Sequence, residues 1–163
     1  MKLKLASVVA ALLVVAAGIA AVAATGAPSA RRLGSQFTAT LSARQEVPRP
    51  RRAKRGAAGR FVGKLAQRGD REVLEWTLTF RRLTGRPTGA HIHYGRPGKV
   101  GAIAVPLCTR CTKERATSGS INGSSLMWSR PAMTALREGR VYVNVHTRKN
   151  RKGEIRGNIR IVR

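Results

Sequence analysis

The chain has 163 residues, with 32 lysines and arginines against seven acids, for a formal net charge of +25. That length holds one domain with a single core and excludes a multidomain enzyme. The charge balance, with 24 arginines and eight lysines, excludes cationic partners and points to polyanions.

The first segment reads as a targeting signal. Lys2 and Lys4 precede an apolar run from Leu5 to Ala24, and Ala21 and Ala23 supply the small residues of an A-x-A pattern. These are the features of a secretory signal peptide over residues 1–27, with an uncleaved N-terminal anchor as the alternative. The processed chain then keeps 30 basic residues and all seven acids. Export places the domain where nucleic acid is scarce, so no nucleic-acid partner is expected in vivo. Anionic cell-envelope polymers or lipid headgroups are the expected partners.

Residues 28–35 are small or polar and read as a flexible lead-in to a domain over 36–163. A first strand is predicted from Gln36 to Leu41. The segment P-R-P-R-R-A-K-R, Pro48 to Arg55, then reads as an exposed connection, because proline and like charges both resist packing. Gly59–Leu65 and Arg71–Phe80 alternate apolar and polar residues on either side of a turn at Gly69-Asp70. This is a hairpin with Leu74, Trp76, Leu78 and Phe80 on its inner face. Shorter strands follow at A-H-I-H, A-I-A-V and S-I-N-G-S-S-L-M.

Cys108 and Cys111 lie in a polar loop, where an exported protein is expected to form a structural disulfide rather than a redox pair. One short helix is predicted, capped by Ser129, with Pro131 in its first turn and Gly139 at its end. The C-terminus reads as a hairpin in which Val141, Val143 and Val145 alternate with Tyr142, Asn144 and His146. Ile155, Ile159 and Ile161 follow the turn. Many short alternating strands and one short helix predict an all-β fold, an antiparallel β-sandwich or barrel.

The three histidines of the chain are His91, His93 and His146. Residues two apart on a strand share a face, so His91 and His93 lie opposite Ile92, and His146 lies opposite Val143 and Val145. If the two strands are neighbours, the three imidazoles converge outside the core. In one register of the last hairpin Glu154 stands across from His146, and in the other Arg156 does. Three such histidines suit copper or zinc in an open site. Arg96, Arg148 and Arg156 beside the same segments oppose a cation, and the histidines alternatively hydrogen-bond backbone at loop ends. No G-x-S-x-G elbow, paired carboxylates or phosphate-cradling glycine loop is present, so an enzyme is not expected.

Four segments carry a family resemblance: L-S-A-R-Q-E-V-P (Leu41–Pro48), L-T-G (Leu83–Gly85), A-H-I-H-Y-G (Ala90–Gly95) and Y-V-N-V-H-T…G-E-I-R-G (Tyr142–Gly157). In this order, from about Phe37 to Ile159, they resemble the chordin domain, CHRD. The chain departs from the pattern in its basic insert at Arg49–Arg55, in Tyr94 where a second glycine is common, and in Arg151 where the turn often has proline. The resemblance implies a secreted, antiparallel immunoglobulin-like β-sandwich. The H-x-H on a sandwich strand also resembles copper–zinc superoxide dismutases, so a topology of that kind is compatible. Those enzymes use more histidines and an aspartate, and dismutase activity is not expected here. The family's recurrent positions fall on Glu46, His91, His93, Asn144, His146, Glu154 and Arg156.

The expectation is therefore an exported or envelope-associated, non-enzymatic binding or structural domain. Its basic residues, Arg49, Arg51, Arg52, Lys54, Arg55, Arg148, Lys149, Arg151 and Lys152, contact anionic polymers. The alternative is an extracytoplasmic copper- or zinc-binding protein centred on His91, His93 and His146, with Glu46, Asn144, Glu154 and Arg156 holding the rings or forming a polar network. No cofactor is expected apart from such a metal.

Overall fold

Alternating apolar and polar residues build nearly all of this structure, a computed structural model that describes residues 36–111, 116–125 and 129–162. The expected signal segment and lead-in lie outside the described residues. Strand β1 runs Gln36–Ser42, β2 Ala58–Arg68, β3 Arg71–Arg81, β4 Pro87–Tyr94 and β5 Ile103–Cys108. They are followed by β6 Gly119–Ser125, β7 Val141–Thr147, β8 Ile155–Asn158 and β9 Arg160–Ile161. Among the described residues no helix is long and apolar enough to cross a membrane.

The sheet order is β5-β4-β7-β8-β1-β2-β3-β6, with β9 also on β1, and every pairing is antiparallel. β8 pairs on one side with β7 and on the other with β1, where Ser42 meets Arg156. That double pairing makes the two layers of a sandwich halves of one rolled sheet, a nearly closed barrel. Among the described residues the fold is all-β and antiparallel with one short α-helix, as the alternation predicts.

The hairpin parity is also as read: Phe61 faces Leu78 and Leu65 faces Leu74 across a turn where Gly69 has φ +58°. Phe37, Leu41, Phe61, Leu74 and Leu78 from one half meet Ile92, Val105, Val143, Val145 and Ile155 from the other in a single core. Burying these side chains is the main stabilising term, about 1.5–3 kcal/mol for each large one.

The helix α1 spans Arg130–Arg137. Ser129 Oγ accepts a hydrogen bond from Ala132 N at 3.3 Å, and Gly139 closes the helix with φ +66°. Ala132, Ala135 and Leu136 form its buried face. Arg137 ties it to the start of β3 through Glu72 at 2.8 Å.

Candidate functional site

β4 and β7 are neighbours, which settles the condition on which the histidines converge. His91 pairs with Asn144, His93 with Tyr142 and Gly89 with His146. Ala90, Ile92, Val143 and Val145 turn inward and are fully buried. The three imidazoles therefore stand on the outer face, half-buried, with one ring nitrogen from each lying within 4.8 Å of the others. His91 Nδ1 is 3.1 Å from His146 Nε2. Gly89 makes this approach feasible, because a Cβ there would lie 3.3 Å from His91 Cε1 and 3.7 Å from His146 Cδ2.

Backbone carbonyls fix which nitrogens are free. A carbonyl only accepts, so His146 Nδ1 donates its proton to Arg151 O at 2.8 Å, and His93 Nδ1 donates to Gly101 O at 3.0 Å. The Nε2 atoms of both neutral rings are then acceptors directed away from those carbonyls, and that of His146 accepts from His91 Nδ1 at 3.1 Å. That of His93 is buried and has no partner. Desolvation lowers the pKa of all three rings, that of His91 to about 4 with help from the neighbouring His146 and His93. At neutral pH the set is uncharged, the form in which imidazole ligates metal.

A polar patch surrounds the rings. Tyr142 is stacked on His93 with ring centroids 5.1 Å apart, and it carries the Arg156 guanidinium 3.4 Å from its ring centroid. Tyr142 stands on the central strand of three, with His93 on the strand to one side and Arg156 on the strand to the other. Arg156, one of the three arginines expected to oppose a cation, is packed on Tyr142, and its charge still helps to lower the His93 pKa. It is wholly buried, and its Nη2 donates to Arg96 O at 3.1 Å and Lys99 O at 2.6 Å.

Glu46 is buried too, and burial pushes its carboxyl up to about 7, against the pull of the Val47 N–H and the Arg156 charge. Six buried side-chain polar atoms lack a partner among the described residues. Five are Glu46 Oε2, His93 Nε2, Asn144 Oδ1 and the Nε and Nη1 of Arg156. All five belong to residues around the histidines, and the Asn144 side chain lies within hydrogen-bonding reach of His93.

Glu154 has a different role from holding His146. The register is the one that sets Val145 opposite Ile155. Yet the imidazole is held by the Arg151 carbonyl, and the Glu154 carboxylate turns into a separate buried network. Its Oε1 accepts from Thr84 N at 2.7 Å. Its Oε2 accepts from the hydroxyls of Thr84 and Thr147, both at 2.6 Å, and from Asn150 Nδ2 at 2.9 Å. Thr84, Thr147 and Asn150 were not singled out from the sequence. Thr84 and Thr147 stand in the L-T-G and Y-V-N-V-H-T segments, but pattern alone does not connect the two.

The sequence model of the CHRD domain matches residues 37–159. The chain belongs to the CHRD family. No curated protein and no solved structure matches it. CHRD domains are non-enzymatic binding or structural domains of extracellular proteins.

Two further features of this CHRD domain were expected from its sequence. Cys108, at the end of β5, and Cys111 are joined by a disulfide that shapes one loop. The basic residues divide by position. Arg49, Arg52, Arg148, Lys149, Arg151 and Lys152 line one groove, Lys54 and Arg55 line a neighbouring hollow, and Arg51 is exposed but lines neither.

Proposed function

We propose that this CHRD domain is an exported, non-enzymatic binding module of the cell envelope that holds a copper or zinc ion on His91, His93 and His146. The observation that carries this reading is the pair of lone pairs on His93 Nε2 and His146 Nε2, each set by a backbone carbonyl on the far side of its ring. Such outer hydrogen bonds orient metal-binding histidines and fix their tautomers. Two nitrogens bound tetrahedrally to one zinc stand roughly 3.3 Å apart, as follows from zinc–nitrogen bonds of about 2.0–2.1 Å. His91 Nδ1 donates to His146 Nε2 at 3.1 Å, close to that separation, so a metal would take the place of the shared proton once His91 holds its proton on Nε2. Imidazole ligands suit zinc and copper alike, and three protein ligands leave a position open.

The test is calorimetric titration of the demetallated protein with Cu(II) and Zn(II), with His91→Ala and His146→Ala alongside. Stoichiometric submicromolar binding that both substitutions abolish is expected. Weak binding that neither substitution changes would sink the reading and leave the histidines as structural hydrogen-bonding groups.

A second reading concerns the surface. Contact with anionic polymers of the envelope is supported by the exposed cations of residues 49–55 and 148–152, none of which has a carboxylate partner among the described residues. Binding to anionic material is expected to weaken as salt rises. Binding insensitive to salt would remove this reading.

A further inference from the structure

The two basic segments, about a hundred residues apart in the chain, meet in space. Arg49 and Arg52 from the insert and Arg148, Lys149, Arg151 and Lys152 from the β7–β8 turn line a single groove, with Pro48 and Pro50 along it and the buried Asn150 and Gly153 between. All six cationic side chains are exposed. Groups of like charge are gathered here at a cost in repulsion, and none of the six forms an ion pair with a carboxylate among the described residues. The ion pairs of the described residues use Lys64, Arg68, Arg137 and Arg140 with Glu75, Glu72 and Glu138, all elsewhere. The two acids nearest in the chain, Glu46 and Glu154, are buried.

The groove has a defined frame. Gly153, at φ +132°, lies so close to Glu46 that a Cβ would overlap Oε2, so the base of the insert packs directly on the turn. Asn150, in the turn, is bonded through its backbone to Thr147 and through its side chain to Glu154. Beyond Arg49 and Pro50, which it shares, a second hollow continues the positive track with Arg44, Lys54, Arg55 and Arg81. The groove thus opens onto an extended basic path.

We infer that this path binds an extended, phosphate-bearing polyanion, with consecutive phosphates lying along the groove. The inference rests on the anionic-polymer reading above and names its site and ligand chemistry. Four of the six groove cations are arginine, whose planar fork pairs with phosphate oxygens two at a time. Closely spaced cations match a chain that carries a charge at each unit. The exposed large apolar residues, Val62, Val100, Ile103 and Val162, all lie outside the groove, so nothing there inserts into a bilayer. No aromatic side chain lines it, which removes the stacking platform that single-stranded nucleic acid uses.

The experiment titrates the purified protein with short-chain inorganic polyphosphate at low and high salt. Polyglutamate and phosphatidylglycerol vesicles serve as the carboxylate and membrane arms. Two triple variants carry the same change in net charge: Arg52→Glu, Lys149→Glu and Arg151→Glu in the groove, and Arg60→Glu, Arg71→Glu and Arg160→Glu on exposed sites outside it. The expected result is salt-sensitive polyphosphate binding, weakened at least tenfold by the groove variant and less than threefold by the other, with both alternative probes binding more weakly. Equal losses in the two variants would overturn the groove while leaving the broader anionic reading intact. Preferential, groove-dependent binding of vesicles or polyglutamate would overturn the phosphate polymer. Absence of salt-sensitive binding to any probe would remove both.

Discussion

His93 and Gly101 share a hydrogen bond of 3.0 Å from Nδ1 to the carbonyl oxygen, and it leaves His93 Nε2 buried without a partner. In the metal-free protein that nitrogen contributes no hydrogen bond. His93→Leu therefore removes one bond to Gly101, worth about 1 kcal/mol, and also removes an unpaired buried atom. The melting temperature of the metal-free variant is expected to stay near that of the parent. Added copper or zinc is expected to raise the parent's melting temperature, since a ligand at about a hundred times its Kd stabilises by roughly 2.7 kcal/mol. It should leave the variant unmoved. Thermal melts with and without metal measure both, and an equal shift in the two proteins would remove His93 from the site.

Gly89 gives a test that touches no ligand atom. A Cβ there sits 3.3 Å from His91 Cε1, tighter than side chains normally tolerate, and the ring has to give way. Gly89→Ala is expected to lower metal affinity by roughly tenfold, the effect of disturbing a ligand's surroundings. Calorimetric titration reads that loss, and an unchanged affinity would show that the His91 ring has freedom the packing denies it.

Glu46 predicts a pH dependence. Its carboxyl, ordinarily near 4.5, is pushed up to about 7 by burial. The folded state therefore holds the proton more tightly than the unfolded chain. Its contribution is undiminished below about 4.5 and is lost progressively as pH rises through 7. At 1.36 kcal/mol per pKa unit, the loss is about 3 kcal/mol. The lowered histidine pKa values act in the opposite sense, costing stability as pH falls below 6.5. Comparison with Glu46→Gln isolates the carboxyl. The variant is expected to be the more stable at pH 8 and close to the parent at pH 4, as read by urea unfolding at each pH. A constant difference across that range would contradict the assignment.

The parity of the strands was legible because a period of two is written directly in the residues. Leu74 to Phe80 and Val141 to Val145 identify the inner face, and from them follows the outer position of all three histidines. The helix was legible from Ser129, Pro131 and Gly139, each of which acts locally. What the sequence does not show is set by long-range approach. Which imidazole nitrogen is free depends on where the Gly101 and Arg151 carbonyls arrive, and that depends on loop paths. The groove depends on residues 49–52 and 148–152 meeting, which no periodicity encodes. The sandwich became one rolled sheet because β8 pairs on both edges, a choice that alternation leaves open.

The clearest case is Glu154, whose partner Thr84 lies 70 residues away. Four donors from three residues converge on this wholly buried carboxylate. No cation is among them, so hydrogen bonds alone replace the water it gave up. Removal of the carboxylate strands the Thr84 N–H and leaves the two hydroxyls and the Asn150 amide only one another as partners. Glu154→Ala is expected to destabilise the domain by roughly 3–4 kcal/mol, as several buried donors lose their acceptor at once. Glu154→Gln restores one acceptor oxygen but places an amide donor among existing donors, so it should fall between. Glu75→Ala is the contrast, because that carboxylate pairs with Lys64 and Arg68 at the surface, and its loss should barely move the transition. Urea midpoints rank the three variants. If Glu154→Ala unfolds no more easily than Glu75→Ala, the network joining Thr84 to the last hairpin does not stabilise the fold.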